Sequence, residues 1–213
     1  MKMGKLVAIV SLVVLLVPGV ASANLLTNGT FETGSKTPWQ QIGYHTAAVN
    51  SAAAYSGSYG LSETVVQNAN SDGWGGMYIN KMATEGDVFS LSSMINTTNM
   101  NAYANAGLQI AFFSVANPGV SASPTATFES PTVYSGNNWQ QFLVTSAAAP
   151  EGTQAVRFTL TSYAAQQSNT DWYGTGSAYF DNVDAAAVPE PTSLLLLGSG
   201  LVGLMGLGKK KKA

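Results

Sequence analysis

Short runs in which apolar and polar residues alternate are the feature of this sequence that most constrains its fold. They recur at 88–95 (VFSLSSMI), 108–115 (LQIAFFSV), 139–146 (WQQFLVTS), 156–163 (VRFTLTSY) and 176–183 (GSAYFDNV). A period of two places alternate side chains on opposite faces, as in half-buried strands. Gly, Asn and Pro between the runs favour turns. The pattern predicts an all-β domain over residues 24–187, a sandwich or jelly roll of about eight or nine strands.

In three of these runs the alternation also predicts which side chains face the core. The apolar sets are Phe89, Leu91 and Ile95 in the first run, Leu108, Ile110 and Phe112 in the second, and Val156, Phe158 and Leu160 in the third. Arg157, Thr159 and Thr161 lie on the opposite face of the third run.

Charge is scarce and unevenly distributed. Only 9% of residues are charged, and six of the nine Lys and Arg residues lie at the two ends of the chain. Residues 24–187 carry three basic and ten acidic residues, a net charge of −7. Nucleic-acid affinity depends on neutralising phosphates, so this body is not expected to bind DNA or RNA. The absence of cysteine excludes disulfides and thiolate chemistry.

Residues 1–23 have the layout of a secretory signal peptide. Lys2 and Lys5 precede an apolar stretch from Leu6 to Val17, and Ala21-Ser22-Ala23 supplies small residues at a cleavage site. The apolar stretch is shorter than the ~20 residues of a spanning helix, although an uncleaved anchor is the alternative. We therefore expect export and cleavage before Asn24.

The C-terminal residues 188–213 contain a second apolar segment between two polar motifs. Val188-Pro189-Glu190-Pro191-Thr192-Ser193 precedes the apolar residues 194–208, and four lysines follow at 209–212. Fifteen helical residues span about 22 Å, short of the ~30 Å hydrocarbon core. The lysines would stay cytoplasmic, which leaves the body outside. The segment is expected to halt export and to anchor the chain transiently.

This tripartite C-terminus resembles the PEP-CTERM sorting signal of Gram-negative bacteria. The resemblance implies recognition by an exosortase, a membrane-embedded transpeptidase-like enzyme that cuts near Val188, Pro189, Glu190 and Pro191. It also implies delivery of the body to the cell surface or the exopolysaccharide matrix. An ordinary single-span tail anchor is the alternative.

The body resembles the carbohydrate-binding-module-like jelly rolls of the galactose-binding-domain group. Five segments carry the resemblance in order: 24–34 (NLLTNGTFETG), 56–62 (SGSYGLS), 86–95 (GDVFSLSSMI), 137–160 (NNWQQFLVTSAAAPEGTQAVRFTL) and 176–185 (GSAYFDNVDA). In these modules the first and last segments often build a calcium site, which implies a structural calcium ion held by Glu32 and Asp181. The alternative is two separate carboxylates, each bonded to turn amides.

Four aromatic residues are candidates for sugar stacking. Trp74 and Tyr78 lie in a glycine-rich stretch, and Trp172 and Tyr173 lie in a polar one. A planar ring on an open face can stack on a sugar, and neighbouring amides and acids can bond its hydroxyls. The alternative is local packing. Trp39 and Trp139 match core positions of the resembled modules.

These observations favour a non-catalytic exported protein with an adhesive or structural role in exopolysaccharide. The alternative is a glycan-binding module proper. An enzyme is not expected, because the sequence has one histidine, His45, and contains no GxSxG, phosphate-loop or HExxH motif. Glycoside cleavage would instead need two carboxylates facing each other in a groove.

Overall fold

The computed structural model describes residues 23–43, 45–65, 73–165 and 174–189. These residues form eleven β-strands and one short 3₁₀ helix, Ser51–Ala53, so the prediction of an all-β fold is confirmed. The strands are β1 (Gln40–Gly43), β2 (His45–Asn50), β3 (Gly60–Val65), β4 (Gly73–Met82), β5 (Phe89–Met100), β6 (Ala104–Phe113), β7 (Ala126–Glu129), β8 (Val133–Tyr134), β9 (Gln140–Thr145), β10 (Ala155–Ala164) and β11 (Gly176–Ala187).

The strand count exceeds the prediction because three strands are short. β1 and β7 have four residues each and β8 has two, too few to show a clear alternating run. Residues 1–22 of the predicted signal peptide and residues 190–213 of the predicted sorting segment lie outside the described residues.

The strands form two antiparallel sheets. Sheet A has the order β1-β4-β10-β6-β7, with β8 also paired to β6. Sheet B has the order β2-β3-β11-β5-β9. Apart from β2–β3 and β6–β7, neighbours in each sheet are not consecutive in sequence, because the chain crosses between the two layers of the sandwich.

The core lies between the sheets and is built from the predicted inward-facing residues. Phe89 of sheet B packs against Phe112 and Phe158 of sheet A, with ring centroids 6.1 and 5.7 Å apart. The apolar residues predicted to face inward from β5, β6 and β10 are all buried. Phe113 faces outward from β6, opposite to Phe112, yet a loop covers it and leaves it 2% exposed.

The two ends of the domain lie side by side. Leu25 donates its backbone N–H to the carbonyl of Ala185 at 2.7 Å, beside the last strand. Trp39 is buried as expected, and its indole N–H donates to Asn28. Trp139 differs from its expected core position, because it is half-buried and its ring packs against that of Tyr55.

Candidate binding face

The outer face of sheet A carries a row of large planar side chains. Strand register places Trp74 of β4 opposite Tyr163 of β10, Tyr163 opposite Asn105 of β6, and Asn105 opposite Tyr134 of β8. Directly opposed residues in antiparallel strands project from the same face. Adjacent strands are about 4.8 Å apart, so these three aromatic residues and the amide of Asn105, together called the aromatic row, extend about 14 Å across the sheet.

Small residues form a trough beside the aromatic row. The next register line is Gly76, Thr161 and Gly107, from β4, β10 and β6. A Cβ on Gly76 would lie 2.2 Å from the carbonyl oxygen of Leu160, so the backbones approach too closely for a larger residue. A Cβ on Gly107 would lie 3.3 Å from the Thr161 hydroxyl, inside the trough. The glycines therefore keep the trough open.

Polar groups line the trough on the side of β6 and β7. A cavity of about 210 Å³ there is lined by Trp74, Asn105, Ala106, Gly107, Leu108, Glu129, Ser130, Thr132, Thr161 and Tyr163. The Gln109 side-chain amide donates to the Glu129 carboxylate at 3.0 Å, which orients both groups. The cavity thus combines planar rings with amide, hydroxyl and carboxylate groups.

A loop covers the other end of the face. Residues 114–124, the cover loop, connect β6 to the segment before β7 and enclose a second cavity of about 270 Å³. This cavity is lined by Ile42, Trp74, Gln109, Ala111, Phe113, Val120, Ala122, Pro124, Thr127 and Arg157. Trp74 lines both cavities, which are therefore adjacent.

Arg157 fixes the cover loop to the sheet. Its guanidinium donates to the carbonyls of Pro118 and Gly119 at 2.8 and 2.9 Å and to the Asn80 side chain at 2.9 Å. The guanidinium lies 4.2 Å from the ring centroid of Tyr78 and 4.7 Å from that of Phe113. Burial lowers the pKa of Arg157 below its usual value, but the three oxygen acceptors and the two rings stabilise the charged guanidinium.

The four predicted sugar-stacking residues have different positions. Trp74 is 37% exposed on the binding face, where a ligand could reach it. Tyr78 is on the same face but only 2% exposed, with its hydroxyl donating to Gln40 and its ring against Arg157. Its ring supports the face and offers no open stacking surface. Trp172 and Tyr173 lie outside the described residues.

Sequence reasoning missed Tyr163 and Tyr134. The alternation that places Arg157, Thr159 and Thr161 on one face also includes Tyr163 when extended by one period. Tyr134 had no comparable signal, because its two-residue strand is recognisable only from its pairing with β6.

The carboxylates of Glu32 and Asp181 accept hydrogen bonds from one loop. Asp181 is fully buried and accepts the backbone N–H groups of Tyr55 and Ser56 at 2.9 and 3.0 Å. Glu32 accepts the backbone N–H groups of Ser58 and Tyr59, each at 3.0 Å. Residues 55–59 are thereby held against both ends of the domain.

The predicted calcium ligands therefore already accept amide N–H groups, and a calcium ion would have to share these oxygen atoms with them. In the described part of the chain, no three His, Asp or Glu side chains are grouped so as to hold a metal ion. Calcium binding by Glu32 and Asp181 stays a prediction for a direct titration.

A second set of polar side chains is buried between the sheets, away from the binding face. Glu63 is fully buried and accepts the backbone N–H of Met77 at 2.9 Å, and burial raises its pKa well above the usual value. His45 is 4% exposed and neither ring nitrogen has a hydrogen-bond partner. Burial and the nearby charge of Lys36 lower the pKa of His45 to about 4, so it is neutral at pH 7.

The predicted sorting motif begins where the sandwich ends. β11 ends at Ala187, and Val188 donates its N–H to the carbonyl of Val88 at 2.8 Å. Val188 and Pro189 are described, whereas Glu190 and Pro191 lie outside the described residues. No helix in the described ranges is long and apolar enough to span a membrane.

Comparison with known families identifies this C-terminal segment. Residues 187–211 match the model of the PEP-CTERM protein-sorting motif. The chain carries a PEP-CTERM sorting signal. This signal indicates export and a C-terminal sorting step, as the sequence predicted. No curated protein matches the sequence.

Solved structures similar to this chain are mainly carbohydrate-binding β-sandwiches. The CBM22-1 xylan-binding domain of Paenibacillus barcinonensis Xyn10C is 15% identical with a TM-score of 0.52, covering 80% of this chain and 97% of that one. TmCBM61, solved in complex with β-1,4-galactotriose, is 15% identical with a TM-score of 0.50, covering 78% and 100%.

A larger protein contains a similar domain. The enzymatically active domain of bacteriophage CBA120 tailspike protein 4 is 13% identical with a TM-score of 0.54. The match covers 78% of this chain but only 21% of the tailspike chain. At these identities the similarity shows the fold, which is the carbohydrate-binding-module β-sandwich predicted from the sequence.

Proposed function

We propose that this PEP-CTERM protein is a non-catalytic surface or matrix protein that binds a neutral glycan across the outer face of sheet A. The aromatic row beside the small-residue trough carries the proposal. Rings in one line can stack on sugar faces, while Asn105, Gln109 and Glu129 are placed to bond hydroxyl groups. Of the two functions expected from the sequence, we therefore propose the glycan-binding module rather than a purely structural role.

The charges on the face favour a neutral ligand. Glu129 and Arg157 are the charged side chains on the described part of the outer face, and the guanidinium is covered by two rings and the cover loop. Glu129 is exposed and would repel an acidic polysaccharide. A ligand without uronic acid or sulfate groups avoids this repulsion.

The proposal is binding without cleavage. Glycoside hydrolysis uses two carboxylates on either side of the scissile bond. Glu129 is the single carboxylate among the described residues that line the two cavities, and Gln109 already donates to it. This supports a binding role for the face.

The position of the sorting signal is compatible with binding at the surface. The aromatic row lies near the beginning of β11. Ala164, which follows Tyr163, lies against Gly174, and β11 begins two residues later at Gly176. The PEP-CTERM signal follows the other end of this twelve-residue strand, roughly 35 Å away at ~3.3 Å per residue. An anchored or matrix-attached chain would therefore present the aromatic row away from its attachment point. We propose on this basis an adhesive role in exopolysaccharide.

Retardation in polysaccharide-containing native gels tests the proposal. The full-length chain should be slowed by at least one neutral polysaccharide in a panel and not by acidic ones. Tyr134→Ala should weaken the retardation, because Tyr134 is 67% exposed at the end of the aromatic row. Tyr59→Ala removes a 40% exposed tyrosine elsewhere and should behave as the wild type. Equal effects of the two variants would overturn the proposed face.

A further inference from the structure

The cavity under the cover loop differs in chemistry from the polar cavity beside it. Six of its lining residues offer only aliphatic or aromatic surface: Ile42, Ala111, Phe113, Val120, Ala122 and Pro124. Val120 is 57% exposed at the rim, an unusual place for a branched apolar side chain. The cavity therefore presents an apolar wall to solvent next to a face built for polar contacts.

The few polar groups of this cavity are largely engaged. Arg157 donates to Asn80, Pro118 and Gly119, and the Gln109 amide donates to Glu129. Thr127 is exposed on the cavity wall, where its hydroxyl could donate to a carbonyl. A sugar hydroxyl placed against the apolar wall would lose its water without gaining a hydrogen-bond partner, which weakens binding. A methyl group placed there would gain free energy instead.

Trp74 connects the two cavities. Because Trp74 lines both, a sugar that stacks on Trp74 in the polar cavity lies next to the apolar one. The volume of about 270 Å³ leaves room for a substituted sugar unit. A substituent of that sugar is the simplest occupant of the apolar cavity, provided that it is uncharged and partly apolar.

We propose that the cavity under the cover loop is an acyl-group subsite, which selects a glycan carrying O-acetyl substituents. This inference rests on the proposed glycan-binding function and narrows its ligand class. The acyl methyl group packs against Val120 and Ala122, which are open to solvent, and the acyl carbonyl oxygen accepts the Thr127 hydroxyl. Arg157 acts as a positioning residue, since it holds the cover loop in place.

Paired polysaccharides test the subsite. The full-length chain is titrated with acetylated xylan and acetylated glucomannan, each before and after mild alkaline deacetylation. One buried methyl group should make binding to the acetylated form about fourfold tighter. Binding to both forms with equal affinity would overturn the subsite while leaving the proposed function intact. Binding to none of the four polymers counts against both.

A matched pair of variants assigns the preference to this cavity. Val120→Asn puts an amide on the apolar rim and should abolish the preference for the acetylated form while keeping affinity for the deacetylated one. Val115→Asn alters a 49% exposed valine of the same loop that does not line the cavity, and should keep the preference. Circular dichroism checks that both variants fold. If Val115→Asn also abolishes the preference, the cavity is not the acyl subsite.

Discussion

Arg157→Met gives a quantitative test of how the binding face is held together. The substitution keeps an unbranched side chain of similar length but removes the guanidinium. The carbonyls of Pro118 and Gly119 and the Asn80 side-chain oxygen then lose a donor. The rings of Tyr78 and Phe113 lose the cation between them.

The magnitude follows from these contacts. Three hydrogen bonds from a charged donor contribute about 1.5–3 kcal/mol each, and the two ring contacts add about 1 kcal/mol or more. Taking the charge out of water offsets much of this gain, since Arg157 is only 4% exposed. We expect Arg157→Met to lower the free energy of unfolding by about 2–4 kcal/mol.

Urea unfolding followed by tryptophan fluorescence measures this change. Lys81→Met is the matched control, because it removes a half-exposed cation from the neighbouring strand and should cost less than about 0.5 kcal/mol. Amide hydrogen exchange should accelerate in the cover loop of Arg157→Met through local opening, whereas core amides should accelerate only by the loss of global stability. Equal stability of Arg157→Met and Lys81→Met would refute the role given to Arg157.

Three further predictions test other parts of the molecule. His45 has a pKa of about 4 when folded and 6.5 when unfolded, so its own contribution to stability should fall by about 3 kcal/mol between pH 6.5 and 4, whereas the raised pKa of Glu63 acts in the opposite direction. Urea unfolding of His45→Gln should lack this decrease, and an unchanged slope would contradict the assignment. If Glu32 and Asp181 hold a calcium ion, added calcium should raise the melting temperature and EDTA should lower it; no shift with either would leave the two carboxylates bonded to the amides of residues 55–59 alone. Glu190→Ala should leave an unprocessed precursor in the membrane fraction on immunoblots, whereas Glu151→Ala, on an exposed turn, should be processed normally; normal processing of both would count against the sorting motif.

The alternation of apolar and polar residues was enough to predict the architecture, because within each strand it reflects which side chains are buried. The inward set of β10, Val156, Phe158 and Leu160, is fully buried as the alternation required. The sorting signal was equally predictable, since its three parts are contiguous in sequence. Features of this kind need no knowledge of which strands are neighbours.

The binding face was only partly predictable because it depends on register between distant strands. Trp74 and Tyr163 are 89 positions apart in sequence, and only the pairing of β4 with β10 aligns them. Loops also determine the surroundings of single side chains. The cover loop buries Phe113, and the backbone N–H groups of Tyr55 and Ser56 donate to the buried Asp181. Such contacts have no signature in the local sequence pattern.

Mapping the ligand on the sheet tests the central claim most directly. Backbone amide chemical shifts of the ¹⁵N-labelled chain are followed during titration with a neutral oligosaccharide cut from the retarding polymer. We predict shifts concentrated at 74–76, 105–109 and 161–163, the strand segments that carry the aromatic row and the trough. Shifts confined to the outer face of sheet B, or a complete lack of shifts at saturating ligand, would contradict the account.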